Sequence, residues 1–176
     1  AAELRGDTIP KSMTKADYAE YRFESALAEE DDFDMLVMGR TQGKGCYCYV
    51  NGVLKTLLDK YIGAYRYVVI DNEAGMEHIA RGTLPHVDAL LLVSDCSRRG
   101  VQAVARIAEM VRELDLKPGL MKLIINRAPG GVLSDGVREE IEAHHLELAG
   151  VLPQDDAVYE ADCDGKPSSK IPDASP

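Results

Sequence analysis

Val68-Val-Ile-Asp-Asn-Glu-Ala-Gly75 is the stretch on which the fold turns. Its four leading positions complete an apolar run, Tyr65–Asp71 (YRYVVID), that is too short for a helix and ends on a carboxylate. A run of that length and composition predicts a buried strand. Similar runs recur at Phe33–Gly39 (FDMLVMG), Ala89–Ser94 (ALLLVS), Leu120–Asn126 (LMKLIIN) and Leu148–Leu152 (LAGVL), the last closed by Pro153. Helical periods lie between them. A T-K-A-D capping signature at Thr14 opens a helix expected to run to about Glu30. Val50–Ile62 and Gly100–Leu114 repeat apolar residues three and four apart, and Asp135–Ala143 and Asp156–Ala161 read as shorter helices. The Pro/Ser-rich segment 164–176 reads as an irregular tail. Strands alternating with helices predict an α/β fold, a doubly wound and mostly parallel sheet with helices on both faces, in one domain over 1–176.

In such a sheet ligands bind beyond the carboxyl ends of the strands. The polar segments RTQGKGCYC, DNEAG, SDCS, NRA and PQDD follow the five runs in order. Asp71, delivered to the end of its strand, is suited to hold Mg²⁺, often through water, as a Walker B carboxylate does. Gly75, four residues on, lets a backbone N–H approach a γ-phosphate with no Cβ in the way. A capping Asp and a turn Gly would leave the same trace. Asn126, with Arg127 beside it, is able to offer an amide donor and acceptor to a base edge, and Pro153, Gln154 and Asp155 at the end of the last strand could line the same pocket; a loop Asn capping a turn would read the same way.

Cys46 and Cys48, spaced i and i+2, are able to turn two thiolates to one side of an extended loop. Two thiolates leave a four-coordinate soft metal incomplete, and a second copy across a two-fold axis would supply the rest. The bland reading is two small loop residues. Gly39–Gly45 (GRTQGKG) is not a phosphate loop: it has three residues between its first two glycines where four are needed, and Gly45 stands where Ser or Thr should follow Lys44.

The chain has 176 residues, 45% hydrophobic, with a formal net charge of -10. It is long enough for a substantial core. Its charge argues against nucleic acid and anionic membrane as partners, and no apolar run reaches the roughly 18–20 residues that span a bilayer. Four cysteines without a leader sequence favour a reducing, cytoplasmic compartment. The sequence opens at Ala1 without Met, which fits a fragment.

Together, VVIDNEAGMEH, the CYC pair, the SDCSRRG loop and INRA, in this order, resemble the CooC/AcsF class of MinD-type P-loop ATPases. The likeness runs from the Tyr18-Ala-Glu-Tyr21-Arg22 helix through VLPQDDAVYEADCDGKP. The resemblance implies an ATP hydrolase whose ATP-bound monomers form a homodimer. It implies Ni²⁺ or Zn²⁺ held between the Cys46 and Cys48 pairs of two subunits, and nickel delivery to the apo-enzyme of carbon monoxide dehydrogenase. Asp71 would be the Walker B carboxylate and Gly75 the switch glycine, with Mg²⁺ near Asp71. Asn126 and Arg127 would contact adenine, with Pro153, Gln154 and Asp155 beside it.

The deviant Walker A loop and the switch I aspartate of that class are absent from these residues, and with them most of the phosphate grip. The chain is therefore expected to be an N-terminally shortened ATPase that is inactive alone. The rival expectations are a P-loop-less metal-binding dimerisation module, a MinD/ParA-like regulatory ATPase, and an electron donor like nitrogenase iron protein. The regulatory reading needs a basic amphipathic tail, and the segment holding Pro167, Pro172 and Pro176 does not supply one. The electron donor needs a cysteine in the switch segment, and DNEAGMEH has none.

Overall fold

The computed structural model describes Pro10, residues 12–37, Thr56, residues 60–72, residues 87–167, Lys170 and Ile171. The chain divides into two compact units, Ala1–Pro85 and His86–Pro176.

In the first unit, α1 (Lys15–Glu24) starts at the predicted capping box. The Thr14 side chain accepts from the Asp17 N–H, and the Asp17 carboxylate accepts from the Thr14 N–H. Its apolar side holds Tyr18, Ala19 and Phe23, and Phe23 stacks on Tyr61 at 5.1 Å. Tyr61 donates to Glu24 at 2.5 Å, a bond that pushes the Tyr61 phenol up to about 12. The helix expected to reach Glu30 stops at Glu24. It gives way to an antiparallel hairpin, β1 (Leu27–Glu29) and β2 (Asp34–Leu36). The reason is local: Glu29, Glu30, Asp31 and Asp32 are consecutive carboxylates, poor helix neighbours but ready turn formers.

Of the helix expected at Val50–Ile62, Thr56, Lys60 and Tyr61 are described and helical, followed by a 3-10 turn at Ile62–Ala64. The strand expected at Tyr65–Asp71 is a correction. Among the described residues it joins no ladder, and Tyr67, Val68 and Val69 are exposed. β-branched residues favour an extended chain, but a strand exists only once a neighbouring edge satisfies its backbone.

The second unit is the predicted α/β core. β3 (Ala89–Asp95), β4 (Leu120–Ala128) and β5 (Leu148–Pro153) form a parallel sheet in that order. α2 (Arg98–Glu113) crosses from β3 to β4, α3 (Asp135–Ala143) from β4 to β5, and α4 (Asp156–Cys163) follows. The β3–β4 register is unbroken from Ala89↔Leu120 to Asp95↔Asn126. β4 and β5 are in register with two irregularities, and Pro153, expected to lie beyond the last strand, pairs with Ala128 as its final residue. Proline is tolerated there because β5 is an edge strand among the described residues.

Alternation decides which side chains are buried. Leu92 on β3 and Leu123 and Ile125 on β4 face Val101, Val104, Ala105 and Ala108 of α2 and Val137 and Ile141 of α3. Leu123 and Ile125 are fully buried, each contributing about 1.5–3 kcal/mol of transfer free energy. Leu91 and Val93 alternate to the other face and are exposed.

Candidate functional site

Because β3 to β5 are parallel, their carboxyl ends share one edge. That edge gathers Asp95-Cys96-Ser97, Asn126-Arg127 and Pro153-Gln154-Asp155. Asp95 and Asn126 are paired across the ladder, as are Ala128 and Pro153, and the Gln154 N–H donates to the Ala128 carbonyl at 2.9 Å. The structure thus assembles the five residues expected on the base side from two different connections.

Each has a defined local job. The Asn126 Oδ1 accepts from the Arg127 N–H at 2.9 Å. One of its two acceptor positions is therefore committed. Arg127 sits at φ 57, a left-handed conformation that costs a side-chain-bearing residue about 1 kcal/mol or more. Asp155 is the N-cap of α4, its carboxylate accepting from Ala157 N at 2.8 Å and Val158 N at 3.2 Å.

Asp95 was missed as a site residue. Its Oδ1 accepts from the Ser97 hydroxyl at 2.6 Å and the Ser97 N–H at 3.0 Å. Those two bonds hold its carboxyl below the usual range against the opposing effect of burial, and the charge of Arg127 adds a smaller lowering. Ser97 in turn caps α2, accepting from Gly100 N at 3.0 Å. Gly100 leaves the carboxylate its place: a Cβ there would lie 2.2 Å from Asp95 Oδ1 and 2.6 Å from Ser94 Oγ, so either side chain would have to shift. The Cys96 thiol donates to the Arg127 carbonyl at 3.6 Å, tying the loop after β3 to the one after β4. The signal for this loop was present in the S-D-C-S-R-R-G run, where an Asx residue and a Ser precede a helical period.

Asp71 ends an exposed extended segment of the first unit. Gly75, Cys46 and Cys48 lie outside the described residues. Among the described residues no group of three or more His, Cys, Asp or Glu is arranged to hold a metal ion, and no helix is long and apolar enough to cross a membrane. A cavity of about 150 Å³ opens at the other end of the sheet, lined by the start of β4, Arg112 and His145. It holds none of the expected residues.

A parallel sheet flanked by crossover helices, with polar loops gathered at its carboxyl edge, defines a doubly wound nucleotide-binding class. The comparisons narrow the class. An ATP-binding protein of Methanocaldococcus jannaschii is 37% identical over 169 residues, 95% of this chain and 66% of that protein. The carbon monoxide dehydrogenase accessory protein CooC of Rhodospirillum rubrum is 32% identical over 144 residues, 79% of this chain and 52% of that protein. The chain therefore spans about two thirds of the first relative and half of the second. Among solved structures, a ParA family ATPase from Chlorobium tepidum superposes with a TM-score of 0.66 at 18% identity, covering 94% of this chain and 71% of that one. The MinD cell division protein of Aquifex aeolicus gives 0.61 at 18% identity, covering 97% and 67%. At those identities the structures speak to the fold alone. No protein-family model matches the chain. The chain belongs to the MinD/ParA-type ATP-binding proteins.

Proposed function

We propose that this chain is part of a cytoplasmic MinD-type ATPase that inserts nickel into carbon monoxide dehydrogenase. The observation that carries the reading is the 32% identity to an accessory protein of that enzyme, over 144 residues or 79% of this chain. In this reading Asn126 and Arg127 meet the adenine, with Pro153, Gln154 and Asp155 beside it. The chemistry of the edge supports this: an amide that both donates and accepts, and an arginine, suit a flat, acceptor-rich base. Asp71 holds Mg²⁺ through water, and the Gly75 amide meets the γ-phosphate. ATP brings two chains together as a homodimer. Ni²⁺ or Zn²⁺ is the cargo, carried by the Cys46 and Cys48 thiolates of both chains and released to the apo-enzyme on hydrolysis.

The test is metal stoichiometry. Reduced full-length protein, dialysed against Ni²⁺ or Zn²⁺, is expected to retain about one ion per two chains. Cys46→Ser/Cys48→Ser is expected to retain none. Undiminished metal in that double variant would sink the cargo role.

A further inference from the structure

Glu140 is the one buried charged side chain among the described residues, only 7% exposed between α2 and α3. It lies on the apolar side of α3, flanked by Val137 and Ile141, where a leucine would serve stability at least as well. Four donor contacts surround it instead. Its Oε2 accepts from Arg98 Nε at 3.0 Å and Nη2 at 2.8 Å, and its Oε1 from Gln102 Nε2 at 2.9 Å and His144 Nε2 at 3.2 Å. The far nitrogen of His144 is 3.7 Å from Glu109.

What a carboxylate adds over leucine is direction, because a guanidinium gripped through two nitrogens has a fixed orientation. Arg98 is the first residue of α2, directly after the Ser97 cap that grips Asp95. Its stem passes the first turn of α3 at Gly136, where an added Cβ would sit in van der Waals contact, 3.5 Å from Arg98 Cδ. The connection runs from Glu140 through Arg98 to Ser97, then to Asp95, with Cys96 reaching the Arg127 carbonyl.

We infer that Glu140 is a positioning residue for the nucleotide edge: through Arg98 it fixes the Asp95–Ser97 loop, and through Cys96 the left-handed Arg127 beside the base. This rests on the nucleotide reading above. Glu140 does not touch the ligand.

The experiment uses the full-length protein with the double variant Arg98→Met/Glu140→Gln. This near-isosteric neutral pair keeps an acceptor for Gln102 and His144, so no charge is stranded in the interface. Two readouts are taken with thermal unfolding as control: the rate at which Cys96 is alkylated, resolved by peptide mass spectrometry, and the dissociation constant for Mg²⁺-ATP. The inference expects a melting temperature near wild type, Cys96 labelling several times faster, and ATP binding weaker by about tenfold. Val137→Ala, which loosens the same helix pair by packing alone, is expected to lower the melting temperature without the rise in Cys96 labelling. Unchanged Cys96 labelling in a folded double variant overturns the inference. Wild-type protein that binds no ATP overturns the nucleotide reading instead, and faster Cys96 labelling would then still support the hold on the loop.

Discussion

Asp95 carries the most legible electrostatics of the described site. Its carboxylate takes two bonds from Ser97, with a smaller contribution from the charge of Arg127, so its folded pKa lies below the unfolded value of about 3.9. A depressed carboxylate adds stability that is present above the unfolded pKa and lost as pH falls through the folded one. Asp95→Asn keeps an acceptor for Ser97 but not the charge. Wild type is therefore expected to exceed Asp95→Asn in unfolding free energy at pH 7, by at most about 1 kcal/mol after solvent screening. The gap should narrow below pH of about 4. Urea titrations of both proteins at pH 7 and pH 3 check this, and a gap that widens in acid would contradict the assignment. Gly100 makes the same point sterically, since the carboxylate occupies the space a Cβ would need.

Three helices end in one device. In α2, α3 and α4 the chain turns into the left-handed region one residue past the C-cap, at Asp115 (φ 52), His145 (φ 51) and Gly165 (φ 64). Each makes the paired closing bonds of a Schellman motif: Leu116 N to Val111 O with Asp115 N to Arg112 O, Leu146 N to Ile141 O with His145 N to Glu142 O, and Lys166 N to Ala161 O with Gly165 N to Asp162 O. Only α4 uses glycine, for which the conformation is free of Cβ strain. His145→Gly is expected to stabilise the protein by about 0.5–1 kcal/mol, the relief of strain exceeding the extra chain entropy of the unfolded state. The shift in urea midpoint measures it. A loss instead would mean that the imidazole, which lines the cavity with Arg112 and Leu146, contributes more there than its backbone costs. At this scale the sequence was informative. The ends of β3, α2, β4 and α3 fall within two residues of the expected bounds because apolar runs, helical period and caps are local signals. The strand expected at Phe33–Gly39 is present among the described residues only as β2, with Phe33 and Met35 exposed, and its antiparallel partner β1 was not legible, since a three-residue strand is too short to show a period.

For the whole molecule, the buried cluster from Leu92 to Leu146 lies entirely within His86–Pro176. A segment with its own core folds alone. Residues 86–176 expressed separately are expected to unfold cooperatively, with one thermal transition by circular dichroism. They should also associate through the uncovered face that carries Leu91 and Val93. A non-cooperative melt would show that the sheet depends on residues before it. The sequence by itself determined the order of strands and helices in this unit, the edge at which polar loops collect, and the capping of α1. All of these follow from residues within a few positions of one another. Only the tertiary structure decided that Tyr65–Asp71 stands outside a ladder, that Cys96 reaches the Arg127 carbonyl, and that Glu140 is buried yet fully bonded. Those outcomes depend on partners 31 and 42 residues apart, as with Cys96–Arg127 and Arg98–Glu140, and no local period or cap encodes a contact across such a distance.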